Sequence, residues 1–75
     1  MITLLAFARY RSLLGFDQLE LPLPTPPTLA GLLAEPRFER LPPDALLAVN
    51  QAFAARDRVL YDGDEVALLP PVSGG

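Results

Sequence analysis

Nine of the 75 residues are proline, and their positions limit how long any strand or helix can run. Pro22, Pro24, Pro26 and Pro27 interrupt the first half, Pro36 and Pro42-Pro43 the middle, and Pro70-Pro71 the end. Each removes a backbone donor and fixes φ, so regular elements must fit between them. Ile2 to Phe7 carries β-forming residues on both faces and reads as a central strand. Arg9 to Leu14 has helical character for one or two turns and stops at Gly15, a residue suited to the left-handed conformation beyond a helix end. Gln18 to Leu23 alternates polar and apolar, with Pro22 marking an edge or a strand end. Thr28 is a good N-cap for a helix in which Leu29, Leu32 and Leu33 recur at helical spacing as far as about Glu35. Phe38 and Leu41 continue that stripe briefly. Leu46 to Val49 is a strand, Asn50-Gln51 a tight turn, and Ala52 to Ala54 a short return. Asp62-Gly63 is a further turn, Glu65 to Leu69 the last strand, and Pro70-Pro71 its stop.

Strand, strand, helix, strand, short strand, strand defines an α+β domain. A first hairpin, a crossover helix and a return to the sheet is the layout of a ubiquitin-like β-grasp, a mixed sheet with one main helix on one face. Ferredoxin-like and other small α+β sheets share much of this pattern. The expected organisation is a β-grasp domain over residues 1–69 and an extended tail over 70–75.

Composition then narrows function. Histidine and cysteine are absent, which removes Ser/His/Asp and Cys/His catalysis, imidazole or thiolate metal sites, persulfides and disulfides. Six arginines, no lysine and nine acidic residues leave a net charge of −3, the wrong sign for binding phosphate backbones, so no nucleic-acid partner is expected. Apolar runs are strand-length, so no membrane span is expected, and without a leader signal the expected location is the cytoplasm. Asp62, Asp64 and Glu65 lack the spaced ligand loop of a calcium site and read as a turn with solubilising charge. Tyr10 and Tyr61 have no activating neighbour in the sequence and read as packing or surface residues.

The sequence ends Pro70, Pro71, Val72, Ser73, Gly74, Gly75. Twin prolines favour an extended exit, and six such residues reach roughly 15–20 Å. Gly74 and Gly75 lack Cβ, so their peptides fit a channel too narrow for any side chain, and the terminal carboxylate is open to attack. A frayed end is the bland alternative. A stiff exit directly after the last strand suits a carrier whose carboxyl another enzyme activates.

The run Asp62, Gly63, Asp64, Glu65, Val66, Ala67, Leu68, Leu69, Pro70, Pro71, Val72, Ser73, Gly74, Gly75 closely resembles the end of the molybdopterin synthase small subunit, the MoaD type of the MoaD/ThiS family. Phe7, Ala8, Arg9, Arg11, Leu13, Leu14 and Gly15 resemble its start, and Ala48, Val49, Asn50 and Gln51 its central turn. The segment from Leu21 to Asp44 matches in pattern only. The resemblance implies that the Gly75 carboxylate is adenylated by an E1-like enzyme using ATP and magnesium. A sulfurtransferase then converts it to a thiocarboxylate, with Gly74 completing the thin end. The large subunit of molybdopterin synthase would receive the tail and transfer sulfur to cyclic pyranopterin monophosphate, in a heterotetramer. It implies no cofactor bound by the chain itself and no catalysis by the chain alone. The alternatives are a ubiquitin-like protein modifier or a thiamine- or tRNA-type sulfur carrier of the same fold; thiamine carriers share the terminal Gly-Gly but typically lack the Pro-Pro-Val-Ser ahead of it.

The strands suggest a docking surface too. Leu5 and Phe7 face opposite to Leu4 and Ala6, and Ala67 and Leu69 opposite to Val66 and Leu68, while one helix covers only one face. Part of the second face, with Phe7, Phe53 and Leu69 near the root of the tail, is expected to dock on the large subunit. The resemblance favours contacts from Phe7, Arg11 and Leu69, with Phe53 a weaker match, and from the tail residues Pro70, Pro71, Val72 and Ser73. Arg9 reads as solvated charge.

Overall fold

The computed structural model describes residues 1–71. Its elements are β1 (Ile2–Ala6), α1 (Arg9–Leu14), β2 (Gln18–Leu21), α2 (Leu29–Leu33), a 3-10 turn (Pro36–Phe38), β3 (Leu46–Val49), β4 (Ala52–Phe53) and β5 (Glu65–Leu69). Prolines set the limits more tightly than periodicity suggests. β2 ends at Leu21, since Pro22 has no N–H to offer a ladder. α2 stops at Leu33, and Glu35, the residue before Pro36, is already extended at ψ 143°. The main helix is thus five residues long, and α1 and the 3-10 turn share the task of covering the sheet.

The five strands form one mixed sheet in the order β2-β1-β5-β3-β4. β1 and β5 run parallel at its centre, with Leu4 opposite Val66 and Ala6 opposite Leu68. The other pairings are antiparallel. Alternation along each strand then sorts the side chains. Ile2, Leu4 and Ala6, Leu47 and Val49, and Val66 and Leu68 face inward and are buried. Tyr10 of α1, Leu29 and Leu32 of α2, Phe38 and Leu60 close over them.

Local devices hold the short elements in place. Gly15 ends α1 at φ 86°, as its position requires. Ala8, before α1, is held at φ 52° and ψ −132°, a conformation that costs roughly 1–3 kcal/mol in a non-glycine residue. Asn50 and Gln51 both have positive φ, the pattern of a type I′ hairpin turn. At the start of α2 the free N–H groups find partners in turn. Leu29 donates to the Arg58 carbonyl at 3.1 Å, Ala30 to that of Arg56 at 2.8 Å, and Gly31 to Thr28 Oγ1 at 3.0 Å. So the segment before β5 caps the helix together with Thr28.

Asp64 latches that segment to the sheet. Its carboxylate accepts from the Tyr61 N–H at 2.9 Å and from Asn50 Nδ2 at 3.0 Å, while Asn50 Oδ1 accepts from the Glu65 N–H at 3.0 Å. The Tyr61 N–H foremost, then Asn50 and the positive charge of Arg58, hold its pKa below the ordinary 3.8 although burial pushes the other way. A carboxylate with a depressed folded pKa stabilises above the unfolded value and loses that contribution as pH falls through the folded one. Asp64→Asn offers one acceptor oxygen where two donors converge, and should cost about 1–3 kcal/mol at neutral pH. The deficit should narrow as pH drops below 3.8, measurable by urea unfolding across pH 2–7.

Gly31 provides a second test. A Cβ there would overlap the Pro26 carbonyl oxygen, which is backbone and cannot swing away. Gly31→Ala should therefore destabilise by about 1–3 kcal/mol instead of giving the usual helix gain, as a lowered thermal midpoint would show.

Candidate functional site

The sheet face turned away from the helices is built from the alternate residues of the same strands. Strand register lays out one transverse row completely: Gln18 of β2, Leu5 of β1, Ala67 of β5, Ala48 of β3 and Phe53 of β4. The next row toward the chain end pairs Leu69 with Leu46. Two alanines at the centre with large side chains around them leave a hollow. It has a volume of about 390 Å³ and is lined by Leu5, Phe7, Ala48, Gln51, Phe53, Glu65, Ala67 and Leu69.

The rim is exposed as well as apolar. Phe53 is 76% and Phe7 42% accessible, whereas Leu5, Ala67 and Leu69 are half-buried. Fully burying a phenylalanine is worth about 1.5–3 kcal/mol, so this rim favours being covered. Phe7 reaches the rim because its N–H still donates to the Leu68 carbonyl at 3.1 Å, prolonging the β1–β5 ladder beyond β1. Ala8 then redirects the chain, and three residues after Phe7 the Tyr10 side chain lies in the core.

The structure brings Phe7, Phe53 and Leu69 together as the sequence leads one to expect. Arg11 lies outside the lining, exposed on α1, with Nε donating to the Ala8 carbonyl at 3.4 Å. Arg9 stands over the Tyr10 ring, 5.6 Å from its centroid, and Tyr61 is 64% exposed. Pro70 and Pro71 are half-buried where the chain leaves β5 beside the hollow. Val72, Ser73, Gly74 and Gly75 lie outside the described residues. Sequence reasoning passed over Ala48 as the floor and Gln51 and Glu65 as the polar border; the small residue on one phase of both β3 and β5 is the signal for the floor. Among the described residues no helix is long and apolar enough to cross a membrane.

The chain resembles known proteins over nearly its whole length. The profile of the ThiS family matches residues 4–75. The molybdopterin synthase sulfur carrier subunit of Escherichia coli (strain K12) is 42% identical over 81 residues, covering 100% of both chains. A putative molybdopterin converting factor, subunit 1, from Pyrococcus furiosus superposes with a TM-score of 0.82 at 32% identity, over 95% of this chain and 97% of that one. A chain from the complex of subunits 1 and 2 of the molybdopterin-converting factor of Helicobacter pylori shares the fold, with a TM-score of 0.69 at 22% identity over 99% and 97%. A β-grasp sheet with an open apolar face, matched from end to end by these relatives, belongs to the ThiS family, alongside sulfur carrier subunits of the MoaD type.

Proposed function

We propose that this chain is the sulfur-carrying small subunit of a molybdopterin synthase, working in the cytoplasm. An E1-like enzyme with ATP and magnesium adenylates the Gly75 carboxylate, and a sulfurtransferase replaces the adenylate with sulfur. The resulting thiocarboxylate enters the large subunit and donates sulfur to cyclic pyranopterin monophosphate, two small subunits serving one large-subunit dimer. The observation that carries this reading is the double role of Leu69, both a wall of the hollow and the last residue of β5. A partner seated on the outer face meets the point where the chain turns toward Gly75. The full-length likeness to the E. coli carrier supports the same role.

The chemistry agrees with the residues the chain has. Without cysteine, sulfur must be held on a main-chain carboxyl. A thiocarboxylate is anionic at neutral pH, and its sulfur is a softer and stronger nucleophile than a carboxylate oxygen. Acid and base groups come from the partners, since the sequence has no histidine or cysteine and no acidic or basic residue after Glu65. Gly74 and Gly75 keep the final peptides free of side chains.

Intact-mass spectrometry after incubation with an activating enzyme, a sulfur source and ATP-magnesium should show one oxygen replaced by sulfur on the C-terminal peptide. Deleting Gly75, or appending one bulky residue after it, should abolish both this exchange and sulfur transfer. Undiminished transfer by the extended chain would refute the proposal, and a branched peptide on a target lysine would favour a protein modifier instead.

Docking is tested separately. Phe53→Asp should leave the thermal midpoint nearly unchanged, because the ring is mostly in water already. It should weaken binding to the large subunit at least about tenfold, as should Leu69→Asp in a folded variant. Wild-type affinity in both would exclude the hollow as the docking site.

A further inference from the structure

The strands contain just two acidic residues, Glu20 and Glu65, and no lysine or arginine. Register places both on the outer face in one row, since Thr3 of β1 lies opposite Glu20 of β2 on one side and Glu65 of β5 on the other. With strands about 4.8 Å apart, their Cα atoms are roughly 10 Å from one another. Among the described residues neither carboxylate is engaged in a hydrogen bond or an ion pair. Glu65 is half-buried and borders the hollow. The face is therefore graded: apolar where β5 delivers the tail, acidic about 13 Å back along the same strand.

We infer that Glu20 and Glu65 fix the orientation in which the tail's receiver docks, and that this receiver presents basic side chains to them. The inference rests on the docking role proposed for the hollow. Covering the hollow strips water from Glu65, and an ionised carboxylate enclosed without a counter-charge weakens binding steeply. Among the described residues the strands carry no cation and the Met1 ammonium at the start of β1 is already paired with Asp62, so the partner must supply one. An apolar patch by itself also tolerates rotated poses, of which one points the tail at the partner's reaction site. Opposite charges at the far end of the patch select that pose and repel the others. A second copy of the chain fits poorly, because two such faces in contact would bring carboxylates and no cations.

Titration calorimetry against the large subunit from the same source, at low and near-physiological salt, tests the inference. Wild-type affinity should fall as salt rises. The isosteric double variant Glu20→Gln/Glu65→Gln should bind more weakly with a flatter salt dependence, and Glu65→Lys should lose at least about tenfold. Phe53→Ser, which removes the ring without adding charge, should lose affinity but keep the wild-type salt slope. If the charge variants match wild type in affinity and slope while Phe53→Ser binds poorly, the acidic row has no such role and the docking reading stands. Normal binding by Phe53→Ser as well would sink the docking reading, and this inference with it. Stable self-association of the wild-type chain, abolished by Phe53→Asp in sedimentation, would assign the face to a second copy and overturn the basic receiver.

Discussion

The parallel pairing of β1 with β5 is the contact on which the rest of the molecule depends. It joins the two ends of the chain at the centre of the sheet, with β2 held on one flank and β3 on the other. Its ladder runs past the strands themselves, from the Thr3 N–H on the Asp64 carbonyl to the Phe7 N–H on that of Leu68. Closing almost the whole chain into one loop is less costly than it looks, because each doubling of loop length adds only about 0.6 kcal/mol. In return Ile2, Leu4, Ala6, Val66 and Leu68 form a continuous buried surface that the short helices need as a base. A helix of five residues has no stability of its own, and α2 persists because it is packed and capped.

Much of this is legible in the sequence because local physics decides it. Gly15, Thr28 and the Asn50-Gln51 turn do what their side chains and backbone preferences demand, and the strand phases of β1 and β5 declare which residues share a face. Three features escape such reading. The Asp64–Asn50 latch and the row joining Glu20, Thr3 and Glu65 are set by relations between distant segments, and the contact between Gly31 and the Pro26 carbonyl by the path of the loop that enters α2. Ala8 is a different case. Nothing in alanine announces a positive φ, and only the opposed demands of Phe7 on the rim and Tyr10 in the core hold it there.

An exposed apolar face on so small a domain invites aggregation, and the fold restrains it by short edges, shape and charge. Both edges are short: β4 has two residues, and β2 has four before Pro22 withdraws the next donor. The floor is concave, so a flat hydrophobic surface rests on the rim and gains little burial from the alanines beneath. The Glu65 carboxylate borders it, and the chain as a whole is anionic. What remains adhesive is a surface that rewards a protruding, complementary partner over a copy of itself.

Register ties this surface to the tail. Because side chains alternate, a slip of one residue between β1 and β5 would turn Glu65, Ala67 and Leu69 toward the core and Val66 and Leu68 outward, burying a carboxylate and rebuilding the floor of the hollow together. The same slip would move the exit of the chain along the sheet by about 3.4 Å, the length of one strand residue. Folding, the shape of the hollow and the position of the tail's root are thus settled by one set of hydrogen bonds. In the proposed role that coupling is what a carrier requires: the reactive carboxyl belongs to a residue six positions beyond β5, and the strand fixes where that segment begins.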